Sequence, residues 1–280
     1  MEGPITGLST NGKGAIITVM QKIQVHVPAG TLISSPSRSS LSIAELLDST
    51  SFEGLEALSG FLGGNVIVNG TVDVESGVVQ ACDVFVNPAD AVLQGVITEL
   101  TDTDRGLVRI NGLPAVPTSD ARVPACPACN DLGFAIDLAA IPLGSEVTVR
   151  GYWGPADGLF HYFHLEVAGA PACAAGLQAS IRRATARLDR GEIEVSGGIS
   201  GAIGSAPVII DVMGGEGKAH WSIGKATVVM DPVHRGAGTY KFRGIAIKPF
   251  PLEGIRIMVR QGMTVGTSPG APGLVPLEFP

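Results

Sequence analysis

Gly3-Pro-Ile-Thr-Gly-Leu8 returns later in the chain as Gly95-Val-Ile-Thr-Glu-Leu100. Each copy runs on through a polar turn into a β-rich stretch, Ala15-Ile-Ile-Thr-Val19 in the first and Gly106-Leu-Val-Arg-Ile110 in the second. The copies also close alike. Asn65-Val-Ile-Val-Asn-Gly-Thr71 matches Glu146-Val-Thr-Val-Arg-Gly-Tyr152, and each is followed by a turn and a last strand, Val78 to Val86 and Leu159 to Val167. The order is strand, turn, strand, variable loop, a Gly-ended strand and its hairpin partner. Such an order predicts a small closed Greek-key barrel of the OB type, present twice.

The first copy carries an insertion. In Ser42-Ile-Ala-Glu-Leu-Leu-Asp48 a Ser N-cap precedes an acid at the third helical position, with apolar residues at helical spacing. This is a capping-box signature, so a short helix is expected there, with Leu55 to Leu62 as a second helical turn. In the second copy, Leu132 to Ile141 is the segment expected to take the helix's place. Beyond residue 175 the pattern changes. Strands are expected at Ala179–Leu188, Glu192–Ser196, Pro207–Val212, Ala226–Asp231, Thr239–Ile247 and Gly254–Gln261, with a turn at Gly214-Gly-Glu-Gly217. Alternating apolar positions at that spacing suit an antiparallel sandwich of immunoglobulin type. Trp221 is its candidate core indole, without a flanking Cys pair. The expected organisation is all-β: an OB-like barrel with helical insertion over residues 1–92, a second OB-like barrel over 93–174, an immunoglobulin-like sandwich over 175–268, and a Pro/Gly-rich arm over 269–280.

The totals agree. The chain has 280 residues, with 38 Gly and 19 Pro but 45% hydrophobic residues, which suits many short strands joined by tight turns. Only 16% of residues are charged, so part of the surface is expected to lie in contacts between subunits. The net charge of −7 argues against nucleic acid as a partner. Arg182, Arg183, Arg187 and Arg190 form the one basic cluster, interleaved with acids from Asp189 onward, and read as a solvated strand face. No segment approaches the roughly 20 unbroken apolar residues of a membrane helix. Four cysteines form an even set, which fits an oxidising compartment. Cys126–Cys129 is the expected local bridge, with Cys82 and Cys173 either paired or free. Met1-Glu2-Gly3-Pro4 leads straight into a strand, so a secreted protein with this start has already lost its leader.

Chemistry is sparse. There is no Gly-x-Ser-x-Gly elbow, no phosphate-cradling loop followed by Lys, and no His-Glu-x-x-His, so no enzyme and no cofactor is expected. Cys126, Cys129, His161 and His164 could together supply four Zn²⁺ ligands. Against this, histidines three apart on a strand point to opposite faces. Tyr152, Trp153 and Tyr162 lie on a predicted hairpin where OB barrels present stacking faces, so they are candidates for ligand or protein contact. Leu274, Val275, Leu277 and Phe279 give the Pro-rich end an apolar side suited to docking on a neighbouring subunit.

The two N-terminal copies resemble a family of bacterial secreted OB-like domains that occur in tandem. The resemblance rests on Gly3 and Gly95, on Thr31, and on Val66-Ile-Val-Asn-Gly70 and Val147-Thr-Val-Arg-Gly151. It implies export and a barrel fold, and it implies no catalytic residues. The third segment is similar in a general way to bacterial immunoglobulin-like repeats. The expected role is a secreted or cell-surface structural subunit that self-assembles into a filament or surface layer, alone or with other envelope proteins, with the periplasm as the alternative location. The other reading is a secreted module that binds a glycan, a protein or a metal through the second barrel.

Overall fold

The structure, a computed structural model, describes residues 1–170, 176–187, 191–203, 205–216, 219–232, 235–245, 255–261 and 264–267. Its contacts divide the chain into two compact units: Met1–Cys126 with Pro142–Leu165, and Pro127–Ile141 with Glu166–Pro280. Both barrels fall largely in the first unit.

The first barrel contains β1 (Glu2–Thr10), β2 (Gly14–Val19), β3 (Ile23–Pro28), β4 (Leu32–Ser34), helix α1 (Ile43–Leu47), β5 (Asn65–Val72) and β6 (Val79–Asn87). Its sheet runs β3-β2-β1-β5-β6-β4 and closes into a ring through a parallel pairing of β3 with β6. The second barrel repeats this order with β7 (Ala91–Asp102), β8 (Leu107–Ile110), β9 (Leu113–Pro117), β10 (Cys129–Asn130), β11 (Glu146–Gly154) and β12 (Leu159–Val167). Here β9 and β12 close the ring in parallel, Phe160 opposite Ala115. The glycine that ends each Val-x-Val-x-Gly motif has a steric reason. A Cβ on Gly70 would stand 2.1 Å from the Gln80 carbonyl oxygen, and one on Gly151 would stand 2.0 Å from that of His161. Only a residue without Cβ lets the two hairpin strands approach so closely.

Helix α1 forms as expected. The Ser42 hydroxyl accepts from the Glu45 backbone N–H, and the Glu45 carboxylate accepts from the Ser42 backbone N–H. These bonds hold the Glu45 carboxyl below its usual range, the Ser42 backbone contact first among them. The second helical turn expected over Leu55 to Leu62 is instead a chain of tight turns, Leu55 to Phe52, Leu58 to Leu55 and Leu62 to Ser59. Gly54, Gly60 and Gly63 take positive φ in and around it and break any helix. Likewise Leu132 to Ile141 holds only one 3₁₀ turn, Leu138–Ala140, capped by the Asp137 carboxylate. Gly133, at φ +81°, interrupts the stretch.

The core of the first barrel extends beyond its own strands. One apolar cluster joins Ile5, Ile17, Val25, Val66 and Val84 with Phe52 and Phe61 of the insertion and with Val123, Tyr152 and Phe163 of the second copy. Phe52 meets Phe61 edge-on at 5.0 Å and Tyr152 at 6.2 Å. The insertion of one barrel therefore packs on the β11–β12 hairpin of the other and buries His161 and Phe163, while Phe160 and Tyr162 alternate to the opposite face and are buried there.

In the second unit, β10 pairs in parallel with the end of β12, Cys129 opposite Glu166. Its main body comprises β13 (Gln178–Ala179), β14 (Arg183–Arg187), β15 (Glu192–Ser200), β16 (Val208–Glu216), β17 (Ala219–Met230), β18 (Gly238–Ile245), β19 (Ile255–Gln261) and β20 (Thr264–Thr267). The strands run β14-β15-β18-β17 on one side and β17-β16-β19-β20 on the other, so the long β17 serves both. Ile193, Val195, Ile210, Val212, Phe242, Ile257 and Val259 are buried at alternate positions along these strands. The turn expected at Gly214 to Gly217 is displaced, since Gly214 and Gly215 still pair with Trp221 and His220. Arg182 of the basic cluster is held by Glu166 at 3.0 Å. Among the described residues no helix is long and apolar enough to cross a membrane.

Candidate functional site

The segment Thr118 to Val123 follows β9 and lies against the insertion of the first barrel. Its Arg122 is buried, with 4% of its surface exposed, although it carries a full charge. The guanidinium grips Asp120 through Nε at 3.0 Å and Nη2 at 2.7 Å. It also donates to the carbonyls of Asp48 at 3.2 Å and Thr50 at 2.8 Å, and lies 4.0 Å from the centre of the Phe52 ring. Arg38 donates to the Ala121 carbonyl and to Glu45, and Ser35 donates to the Arg122 carbonyl. A buried charge is tolerated when its donors find acceptors, and here the acceptors come from both copies.

This clasp fixes Glu53 opposite β12. The Ser119 hydroxyl and backbone N–H both donate to the Glu53 carboxylate. Facing it, His161 is 3% exposed and stacks on Tyr152, with ring centres 5.2 Å apart and planes 12° from parallel. Its Nε2 lies 2.8 Å from Asp157 Oδ2. Since a carboxylate offers only acceptors, Nε2 is the donor of this bond. That Nδ1 is buried without a hydrogen-bond partner, 3.6 Å from Glu53 Oε2. Two glycines make the room. A Cβ on Gly54 or on Gly154 would come to 3.0 Å from His161 Nε2, and one on Gly154 would come to 2.5 Å from Asp157 Oδ1.

Beside this group opens a cavity of about 620 Å³, lined by Glu53, Glu56, Arg105, Ser119, Asp157 and His161 with the apolar Leu107, Val116, Pro117 and Leu159. It is an open depression rather than an enclosed chamber, and its walls combine polar and apolar groups.

The residues expected to carry chemistry are distributed differently from the expectation. The Cys126–Cys129 disulfide is not formed: Cys126 is an exposed thiol and Cys129 is half-buried in β10. Cys82 is an exposed thiol, and Cys173 lies outside the described residues. Cys126, Cys129, His161 and His164 do not make one ligand set among the described residues. His161 faces the buried hairpin surface with Phe163, while His164, three residues on, points to the other face as strand alternation requires. Tyr152 and Tyr162 are buried, at 0% and 3%, so they pack rather than present stacking faces; Trp153 is 43% exposed. Burial pushes the Tyr152 phenol up to about 12, and that of Tyr162, whose hydroxyl donates to the Gly106 carbonyl, still higher. Leu274, Val275, Leu277 and Phe279 lie outside the described residues.

Glu53, Asp157 and Ser119 carry no motif in the sequence. The one hint is a pair of carboxylates flanking loops rich in Gly, which is common on any β protein. No family model and no curated protein matches the chain.

Proposed function

We propose that this protein is a binding module, and that it takes a small, hydroxyl-bearing ligand of the glycan class in the cavity floored by His161, Asp157 and Glu53. The observation that carries this reading is the His161 Nδ1, a buried ring nitrogen with no hydrogen-bond partner, beside a carboxylate and at the edge of a cavity. A buried polar atom without a partner is costly, and a ligand hydroxyl, which can donate or accept, offsets that cost. Carboxylates at the floor, Arg105 among the lining residues and apolar walls suit a ligand with several hydroxyls and a non-polar face. Binding is favoured over turnover because the Ser119 hydroxyl, the one hydroxyl lining the cavity, is committed to Glu53 rather than to the imidazole. The test is calorimetric titration with a panel of mono- and oligosaccharides. Glu53→Gln should weaken any saccharide binding by roughly 10-fold or more, the usual worth of a hydrogen bond to a charged group. Saccharides that bind equally well to Glu53→Gln, or none that bind in the millimolar range, would refute the reading.

Self-assembly is a second proposal, favoured by apolar side chains on the strands of the second unit. Ile209, Val229 and Ile245 are 40%, 72% and 68% exposed there. Exposed apolar side chains on a sheet suit a subunit contact. Light scattering across a range of concentrations tests it; a single monomer mass throughout would exclude it. The OB-like reading of the two barrels is supported by their matching strand order and closure, and the immunoglobulin-like reading of the last sheet by the antiparallel pairing of its strands and their alternating burial. A secreted or periplasmic setting is proposed from the resemblance of the barrels to bacterial secreted domains, to which the thiols of Cys82 and Cys126 add nothing.

A further inference from the structure

We infer that this cavity selects saccharides bearing a free amine, bound as the ammonium, over neutral ones. The inference rests on the binding reading and names the group by which the ligand is told apart.

The charge of the lining carries it. Glu53, Glu56 and Asp157 bring three carboxylates to the wall, against the guanidinium of Arg105 and the imidazole of His161. Three negative charges face two positive ones if that imidazole is protonated and one if it is neutral, so the lining is anionic in either state. Tyr152, stacked on His161, lies in the same field. Burial comes first in pushing its phenol up to about 12, a contact with Thr118 opposes it, and the charges of Glu53, Asp120 and Asp157 add to it. The hydrogen bonds of the lining carboxylates orient them and leave this balance as it stands. Glu53 is held by Ser119, Asp157 by the Leu159 backbone N–H, and Glu56 by the Gly54 backbone N–H at 3.2 Å, all neutral donors. Asp157 also takes the bond from His161, whose charge is already in the count. A carboxylate has about four lone-pair sites, so each keeps room for a ligand donor.

An ammonium uses such a wall better than a hydroxyl does. It offers three donors and a full charge, and charge-assisted hydrogen bonds are about twice as strong as neutral ones. Two further features ask for a sugar rather than a bare amine. His161 is 3% exposed and its Nδ1 is buried without a hydrogen-bond partner, a place for a hydroxyl beside the amine. Leu107, Val116, Pro117 and Leu159 give an apolar wall for the C–H face of a pyranose ring. The depression on the first barrel makes the contrast. Asn11, Gln24, His26, Ser76 and Gln80 line it with no carboxylate, and both nitrogens of His26 are engaged, by Asn11 at 2.8 Å and Gln80 at 2.9 Å.

The test titrates the full chain by calorimetry with three oligomers of one length: glucosamine, its N-acetylated form and glucose. At about pH 6.5 and low salt the carboxylates are ionised and the primary amine is protonated. The glucosamine oligomer should bind roughly 10-fold tighter than the other two. That ratio should shrink toward one at about 0.5 M salt, because Glu53 and Asp157 are partly exposed, 45% and 33%. Glu56→Gln, on an exposed side chain whose amide oxygen can still accept from Gly54, should lower the ratio, and Arg105→Gln should raise it. A wild-type ratio near one, or a ratio that neither substitution moves, would overturn the inference. Glu53-dependent binding of all three oligomers without preference leaves the broader binding reading standing and removes the amine. No binding of any saccharide removes both.

Discussion

Replacing Arg122 with Met tests whether one buried charge joins the two barrels. The substitution keeps the apolar stem over Phe52 but removes the guanidinium, which spans 74 residues of sequence to reach Asp48. Asp120, with 14% of its side chain exposed, then keeps its charge without a counter-ion, and the carbonyls of Asp48 and Thr50 lose a donor. Breaking a buried pair by deleting one partner costs about 3–5 kcal/mol. Retention of the stem, and water reaching the two carbonyls, place the expected loss at about 4 kcal/mol. For a chain of this size that is a fall in Tm of about 10 °C. Urea unfolding followed by Trp153 fluorescence reads the first unit, in a Trp221→Phe background that leaves Trp153 as the single indole of the two. The double variant Arg122→Met, Asp120→Asn isolates the stranded charge. Removing that carboxylate should recover about 1–2 kcal/mol, the share of the penalty due to the unpaired charge. A single-variant loss under about 1 kcal/mol, or a double variant less stable than the single one, would refute the reasoning.

Gly154→Ala should destabilise the first unit by about 1–3 kcal/mol and disorder the His161–Asp157 pair, since the new methyl meets Asp157 Oδ1 at 2.5 Å; thermal melts read the first effect and the histidine NMR resonances the second. All three tyrosines of the chain, Tyr152, Tyr162 and Tyr240, are pushed up by burial, so tyrosinate absorbance should be almost missing from the native protein at about pH 11 and full in denaturant. Between about pH 10, where the unfolded phenols ionise, and the raised native values, the unfolded state binds fewer protons, so stability falls as pH rises. Ser42→Ala should cost about 1 kcal/mol at neutral pH and less in acid, because the Glu45 carboxyl it holds low contributes stability only above its unfolded value. A thiol reagent should titrate Cys82 and Cys126 in the native protein without prior reduction, whereas a Cys126–Cys129 bridge would leave only Cys82 of that trio reactive.

The strands of the barrels are legible because their signal is local. Alternation, the repeated Gly-ended motif and the capping box each act over a few residues, and α1, β11 and β12 appear where those patterns place them. Leu132 to Ile141 departs from its pattern for a related reason: apolar content suggests a helix, but Gly133 at positive φ and the Asp137 side chain, which caps a single turn, hold the backbone elsewhere. Spacing also misleads at the cysteines, because it gives proximity and not orientation.

What the sequence by itself determined is the all-β class, the doubled barrel and the order of strands, since period-two alternation and turn residues specify them without reference to distant partners. The tertiary structure alone decided that the barrels share a core through Phe52, Phe61, Tyr152 and Phe163. It also decided that Glu53 of one copy meets His161 of the other. Those contacts join segments far apart in the chain, and no local pattern records them: a buried histidine, a half-exposed glutamate and a glycine look ordinary until the fold places them against one another.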